Sequence, residues 1–171
     1  MFARPSLREF QRALSTRLAN LDGTDSPSKL GLDIAGERWL VDLEEAGEIM
    51  PVPALAAVPH THAWYRGIAN VRGRLFSVVD FAAFLGGPLT ARTETARLLL
   101  LGDRHRVSTG LLVSAVLGLR KGKELHARPA PEARWAAAEL VDREGVTWRH
   151  LDVAQLVAHP DFLQVSLSRI S

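Results

Sequence analysis

Three side chains near the middle of the chain could hold a metal ion or take part in catalysis. His60 and His62 are two residues apart, so they would share one face of an extended segment, and neutral imidazoles are common metal ligands. A zinc site needs three or four ligands, however, and no second histidine or carboxylate pair has a matching spacing. Asp80 could act as an acid or base together with Asp152. We interpret the two histidines as part of a surface loop and predict no bound metal or cofactor.

The sequence carries no complete motif of a catalytic class. It lacks a Gly-x-Ser-x-Gly nucleophile motif and a Gly-x-Gly-x-x-Gly dinucleotide motif. Gly122–Lys123 resembles the end of a phosphate-binding loop, but Glu124 replaces the required Ser or Thr. The absence of cysteine excludes disulfides, thiol catalysis and thiolate metal sites. We predict a protein that is not an enzyme; a small barrel that binds nucleic acid and a hydrolase that uses His60, His62 or Asp80 stay as alternatives.

The two aspartates belong to an internal echo of the sequence. Residues 78–85 (VVDFAAFL) end a predicted strand, place Asp80 and begin a short helix, and residues 150–157 (HLDVAQLV) do the same around Asp152. An aspartate in this position accepts a hydrogen bond from a backbone N–H of the first helical turn. We therefore predict that both aspartates cap helices, and that the chain contains two similar substructures.

The elements around these residues are mostly short strands. Leu30, Leu32 and Ile34 alternate with smaller or polar residues, and Trp39–Leu43 follows after a turn, which predicts a hairpin. Further strands are predicted at 68–71, 75–79, 98–101, 107–116, 139–141 and 146–151, and a short helical turn at 44–50. Short strands separated by Gly and Pro turns favour small barrels.

An amphipathic helix is predicted ahead of this β region. Apolar residues recur at spacings of three and four over residues 6–22, and share one helical face: Leu7, Phe10, Leu14, Leu18 and Leu21. A turn-rich linker, GTDSPSK, follows at 23–29. We predict a helix and linker over 1–28 and a single β domain over 29–171.

The charge and hydropathy of the chain indicate a cytoplasmic protein. The 21 basic and 19 acidic residues are interspersed and give a net charge of +2, which argues against nucleic acid or an anionic membrane as the main partner. The first ten residues lack the apolar run of a signal peptide, and no segment reaches the roughly 18 apolar residues of a membrane span.

The segment 58–86, VPHTHAWYRGIANVRGRLFSVVDFAAFLG, resembles the central signature of CheW-like domains. That signature has a Pro, an aromatic residue, a Gly, an apolar strand with Asn, Arg–Gly–Arg, an apolar strand that ends in Asp, and a short helix closed by Gly. The matching residues are Pro59, Trp64, Gly67, Asn70, Arg72, Gly73, Arg74, Val79, Asp80, Leu85 and Gly86. The likeness extends over about residues 30–158, and Glu48–Ile49 matches the Glu–Ile turn of the family. The ending 159–166 and the N-terminal helix are similar to the PilI branch, which serves type IV pilus twitching motility.

The resemblance implies a mainly β fold of two five-stranded Src-homology-3-like barrels that pack on a shared core. It also implies a non-catalytic adaptor that couples the cytoplasmic tip of a methyl-accepting chemoreceptor to a CheA-type histidine kinase, without nucleic acid or membrane insertion. One barrel surface would bind the kinase, and the region between the barrels would hold the receptor tip.

The resemblance marks five partner-binding residues: Glu48, Gly67, Asn70, Arg72 and Gly73. Some of them also have a purely structural explanation. The two glycines could serve turns with positive φ, Arg72 could brace its loop through hydrogen bonds, and Glu48 could be a solvated residue.

Overall fold

The computed structural model describes residues 27–128 and 136–167, which form eleven β-strands and three short α-helices. The strands are β1 (Lys29–Ile34), β2 (Glu37–Asp42), β3 (Ala46–Pro51), β4 (Tyr65–Val71), β5 (Arg74–Asp80), β6 (Arg97–Leu101), β7 (Thr109–Val113), β8 (Ala115–Arg120), β9 (His126–Arg128), β10 (Ala136–Val141) and β11 (Thr147–Leu151); the helices are α1 (Phe81–Phe84), α2 (Val153–Ala158) and α3 (Pro160–Leu163). The predicted helix at 6–22 lies outside the described residues. Within them, no helix is long and apolar enough to cross a membrane.

The strands form two sheets, as predicted for a mainly β, two-part fold. One sheet has the order β8-β1-β2-β11-β10-β9 and the other has the order β3-β6-β7-β5-β4. The prediction of five strands in each holds for the second sheet. The first has six, because the three-residue strand β9 pairs with β10 from Glu139↔Arg128 to Val141↔His126 and extends the edge.

Five strands of each sheet repeat one topology. The hairpin β1–β2 corresponds to β6–β7, and each hairpin pairs in parallel with the strand that precedes a capped helix, β11 in one sheet and β5 in the other. The strand that follows each hairpin crosses over: β3 leaves β2 and joins the five-stranded sheet, and β8 leaves β7 and joins the six-stranded one. The internal echo of the sequence therefore reflects a structural repeat in which the two halves exchange one strand.

A shared apolar core lies between the two sheets, as predicted. It contains Leu32 and Trp39 from one sheet, Leu99 and Leu111 from the other, and Leu156 from α2, and all of them are almost fully buried. A second cluster lies on the other face of the five-stranded sheet: Ala69, Val71, Phe76, Val78, Leu98, Leu100 and Leu112. The strands β6 and β7 bury both faces, which explains their unbroken apolar sequences.

Two elements differ from their predictions. The predicted helical turn at 44–50 is wrong: this segment is strand β3, which pairs antiparallel with β6 from Ala46↔Leu101 to Pro51↔Arg97. The single strand predicted at 107–116 is two strands, because β7 ends at Val113 and Ser114 separates it from β8. In both cases pairing between distant segments decides the backbone, and local composition does not reveal it.

Both predicted caps are confirmed. The Asp80 carboxylate accepts from the Ala83 N–H at 3.3 Å at the start of α1, and Asp152 accepts from the Gln155 N–H at 2.9 Å at the start of α2. Asp80 is fully buried and also accepts from the backbone N–H and the hydroxyl of Thr90, at 2.7 and 2.8 Å, and from Arg66 at 3.1 Å. Asp80 thereby ties the loop after α1 to the end of β5.

Candidate partner-binding surfaces

Three of the five predicted partner-binding residues lie together at the tip of the β4–β5 hairpin. Arg72 and Gly73 are the two turn residues, both with positive φ (52° and 81°), as in a type I′ turn. The Asn70 side-chain oxygen accepts from the Gly73 N–H at 2.9 Å and closes the turn. The same turn joins β1 to β2, where Asp33 accepts from the Gly36 N–H at 2.9 Å. Asn70 and Gly73 therefore have a structural reason for their positions.

Glu48 joins this hairpin tip from the opposite edge of the sheet. Arg72 donates to both Glu48 carboxylate oxygens, from Nη1 at 3.0 Å and from Nη2 at 2.7 Å. Glu48 lies on β3 and Arg72 directly follows β4, and these are the two outermost strands of the five-stranded sheet. The sheet must therefore curl until its edges meet. We call the surface formed by Glu48, Asn70, Arg72, Gly73 and the exposed Leu75 the hairpin patch.

Gly67 lies apart from the patch, within β4, where the backbone of residue 56 packs closely against the strand. It has φ +118°, and a Cβ atom there would lie 2.2 Å from the Ala56 carbonyl oxygen. Its neighbour Ile68 exchanges two backbone hydrogen bonds with Ala56, at 2.8 and 2.9 Å. Only glycine allows this approach. The structure thus gives Gly67 a packing role, and partner contact at this position stays a prediction.

A concave surface lies at the boundary between the two sheets. It is a groove of about 500 Å³. One wall comes from the β1–β2 hairpin and the other from α1 and the loop that Asp80 holds; the lining includes Ile34, Glu37, Trp39, Ala82, Leu85 and Arg149. The groove is apolar at Ile34, Ala82 and Leu85, and it is charged where Arg149 donates to Glu37 at 2.9 Å. We call this surface the inter-sheet groove.

Sequence patterns alone did not identify the inter-sheet groove. Trp39 and Arg149 are distant in sequence, yet they are register partners in the parallel pairing of β2 with β11. The Arg149 guanidinium lies over the Trp39 ring, 5.7 Å from its centroid. Trp39 begins a predicted strand and is 1% exposed, but its position at the wall of a groove has no signal in the local sequence.

The three residues of the alternative hydrolase hypothesis, His60, His62 and Asp80, each make contacts that support the fold. The His62 ring stacks on Trp64, with centroids 5.3 Å apart, and the His60 carbonyl accepts from the Leu167 N–H at 2.9 Å. Across residues 27–128 and 136–167, no three His, Asp or Glu side chains are grouped to hold a metal. Of the four hydrogen bonds that Asp80 accepts, three fix α1 or the loop after it, and the fourth comes from Arg66 on β4.

Comparisons with known proteins agree with this architecture. The chain is 31% identical over 102 residues to protein PilI of Pseudomonas aeruginosa, which covers 60% of this chain and 57% of PilI. It is 30% identical over 100 residues to a probable chemotaxis protein CheW of Rhizobium etli, covering 58% and 63%. The matched segment thus spans about three fifths of the length of each relative.

A solved structure and a family model extend the comparison. The crystal structure of the scaffolding protein TtCheW from Thermoanaerobacter tengcongensis superposes with a TM-score of 0.67 at 16% identity, over 80% of this chain and 95% of that one. It therefore has the same fold. The model of the CheW-like domain matches residues 29–161, which is most of the sequence. This chain belongs to the family of CheW-like domains.

Proposed function

We propose that this protein is a non-catalytic adaptor that couples a methyl-accepting chemoreceptor to a CheA-type histidine kinase. The observation that carries the proposal is the presence of two differently built surfaces on one body with a shared core. The hairpin patch is an exposed hairpin tip with an ion pair, and the inter-sheet groove is concave and largely apolar. Two such surfaces can hold two partners at a fixed separation.

In this proposal the hairpin patch contacts the kinase through Glu48, Asn70, Arg72 and Gly73. Arg72 is 78% exposed and Leu75 is 61% exposed, so the patch offers a cation and an apolar side chain to a partner. Arginine is enriched at protein interfaces relative to the rest of the surface. The two-residue turn and the Asn70 hydrogen bond hold the patch rigid, which lowers the entropic cost of binding.

The receptor tip occupies the inter-sheet groove in this proposal. The groove has a volume in the range of peptide and ligand sites, with apolar walls and few polar groups. Because its two walls belong to different sheets, a bound receptor helix would contact both halves of the repeat. A change in the receptor tip could then alter how the adaptor presents the hairpin patch to the kinase.

The output that we propose is pilus-driven twitching motility, with the adaptor held in cytoplasmic receptor arrays. This rests on the likeness to PilI over 102 residues. We also propose that the adaptor domain begins at residue 29, where the family match and β1 both start, and that residues 1–28 form a separate amphipathic extension. Weak contacts repeated across an array would give the assembly its strength.

Co-sedimentation tests the adaptor function. The purified protein is mixed with the regulatory domain of the CheA-type kinase and with the cytoplasmic fragment of a chemoreceptor from the same organism. We expect Arg72→Ala to reduce kinase binding and to leave receptor binding unchanged, and Leu85→Asp in the groove to do the reverse. Failure of folded wild-type protein to bind either partner would reject the proposal.

A further inference from the structure

Two large apolar side chains lie exposed beside the point where the chain enters its first strand. β1 begins at Lys29 and pairs with β2 on one side and with β8 on the other. Leu119 of β8 lies opposite Leu30. Leu43 directly follows β2, and its N–H donates to the Ser28 carbonyl at 3.2 Å. Because Leu43 is 42% and Leu119 57% exposed, the chain enters the domain between two exposed leucines.

The two leucines share one face of the six-stranded sheet. Paired residues of neighbouring strands point to the same face, and so do residues two apart in an extended segment. Leu119 therefore shares the face of Leu30, and Leu43 shares the face of Ser28, which is the same one. Leu30 and Val41 belong to the shared core on this face. The exposed leucines thus continue the core beyond its buried part, about 12 Å apart by the spacing of strands and residues.

The surface around these leucines is acidic on one side. The segment 42–45, DLEE, places three carboxylates around Leu43. Glu44 is 78% exposed, and its ion pair with Arg104, at 3.3 Å, is exposed at both ends. Such a pair costs little to rearrange when another cation approaches. We call the surface formed by Leu43, Leu119 and Glu44 the entry patch.

The chain itself contains a segment that complements the entry patch. The helix predicted at 6–22 would be about 25 Å long, and a helix of this length is marginal in water until its apolar face is buried. Leu14 and Leu21 on that face are seven residues apart, which is about 10 Å along a helix and close to the spacing of the two exposed leucines. Residues 1–17 contain four arginines and one acidic residue, a charge opposite to that of the carboxylates in the patch.

The connection is long enough for this contact and short enough to favour it. Residues 23–28 join the predicted helix to β1, and six extended residues span at most about 20 Å. Since the Ser28 carbonyl is held beside Leu43, the end of the helix at residue 22 can lie over the entry patch. A segment on a short tether reaches an effective concentration in the millimolar range, which favours it over a free partner.

We propose that the predicted helix at 6–22 covers the entry patch of its own chain. The last two turns of the helix pack on the two exposed leucines, and Arg17, which borders the apolar face, lies near Glu44. This contact closes the exposed rim of the shared core and buries the apolar face of the helix. It involves this chain alone and does not depend on the adaptor function proposed above.

Disulfide trapping is a direct test, because the chain has no cysteine. Leu18→Cys is combined with Leu119→Cys in the full chain; the control combines Leu18→Cys with Leu75→Cys, an exposed position on the other sheet. A disulfide needs Cα atoms within about 7 Å of each other. In dilute protein under mild oxidation we expect the first pair to form an intramolecular disulfide at least about tenfold faster than the control. Equal rates would overturn the proposal, and so would a disulfide-linked dimer from the first pair, since a second copy would then be the occupant.

A second test measures whether the helix and the patch stabilise each other. Leu18→Glu places a charge on the apolar face, and Thr16→Glu, on the opposite face of the helix, is the control. We expect Leu18→Glu to lower the melting temperature of the full chain by about 3–10 °C and Thr16→Glu to leave it unchanged. In a chain that also carries Leu119→Ser, most of the loss from Leu18→Glu should disappear, because the contact is already broken. An undiminished loss in that background would place the helix elsewhere on the domain, and no loss from Leu18→Glu would leave the helix to a partner; either result overturns the proposal.

Discussion

The guanidinium of Arg72 donates to both carboxylate oxygens of Glu48 and thereby joins the two outermost strands of the five-stranded sheet. Glu48 lies on β3, the strand that follows the β1–β2 hairpin of the six-stranded sheet but pairs in the five-stranded sheet. The ion pair therefore connects this crossing strand to β4 at the point where the two edges of the sheet meet. Because Arg72 is 78% and Glu48 36% exposed, the pair contributes only about 0–1 kcal/mol to stability. Its energetic weakness favours a role in orienting Arg72 for a partner.

Reversing the charges of this pair separates orientation from stability. We expect Arg72→Glu and Glu48→Arg each to weaken binding of the kinase regulatory domain and to change the free energy of unfolding by less than about 1 kcal/mol. The double reversal restores the ion pair but exchanges its ends, so we expect it to recover stability and not affinity. Urea titration and calorimetric binding check both effects. Arg104→Glu, at the exposed pair with Glu44, is the control; an equal loss of affinity there would contradict the assignment.

The local sequence was sufficient to predict the capped helices and most strands. Asp80 and Asp152 each follow an apolar run and precede a short helical pattern, and both caps form as predicted. Segment 44–50 was misread because Ala, Gly and Glu carry little strand propensity. It becomes β3 through its pairing with β6, which lies some fifty residues away in the chain. Contacts at that distance have no local signature.

The candidate sites show the same limit. The family signature placed Asn70, Arg72 and Gly73 together correctly, since they are adjacent in one turn. It could not reveal that Arg72 pairs with Glu48, because the curling of a whole sheet brings them together. The family resemblance pointed to the region between the barrels, but no local pattern identified the residues that line it, since Trp39 and Arg149 meet only through the parallel pairing of β2 with β11.

Asp80 and Asp152 cap equivalent helices, one from a buried and one from a partly exposed position, so the same substitution at both measures what burial adds to the role of the cap. Asp80 is fully buried and accepts four hydrogen bonds, so an amide in its place would turn an NH₂ group toward donors from Thr90 and Arg66. We expect Asp80→Asn to lower the free energy of unfolding by about 2–4 kcal/mol. Asp152 is only partly buried and acts as a simple cap, for which Asn serves nearly as well. Asp152→Asn should cost less than about 0.5 kcal/mol in the same urea titration, and equal losses would contradict the difference in role.

Because β3 and β8 each cross from one sheet to the other, we expect the two sheets to unfold together. Neither sheet is complete without a strand that continues from the hairpin of the other, and both contribute to one core. Leu112 belongs to the second apolar cluster, on the face of the five-stranded sheet that points away from the shared core. Its substitution by Ala should lower the free energy of unfolding by about 2–5 kcal/mol. Trp39 and Trp148 lie in the six-stranded sheet, and they report on it once the other two tryptophans, Trp64 and Trp135, are replaced by Phe. We expect Leu112→Ala to shift their fluorescence transition and the far-ultraviolet circular dichroism transition by the same amount, and a split into two transitions would show independent halves.

The crossover from β2 to β3 carries two carboxylates whose pKa values shift in opposite directions. Burial raises the pKa of Asp42, but hydrogen bonds and charges from Lys29 and His150 outweigh it and hold the pKa below the ordinary value of 3.8. Burial raises the pKa of Glu45 above 4.5, with nearby Asp42 adding to the shift and His105, 3.5 Å away, opposing it. Asp42 therefore favours the fold as an anion, and Glu45 favours it when protonated.

These shifts give opposite dependences of stability on pH. The stability that Asp42 provides is present above about pH 4 and is lost as the pH falls through its lowered pKa. The stability from protonated Glu45 is present at acid pH and is lost as the pH rises through its raised pKa. We expect Asp42→Asn to be less stable than wild type at pH 7 and to approach it below about pH 4. Glu45→Gln should be more stable than wild type at pH 7 and lose that advantage in the same acid range. Urea titrations from pH 3 to pH 8 measure both curves, and parallel curves for the two variants would refute the assigned shifts.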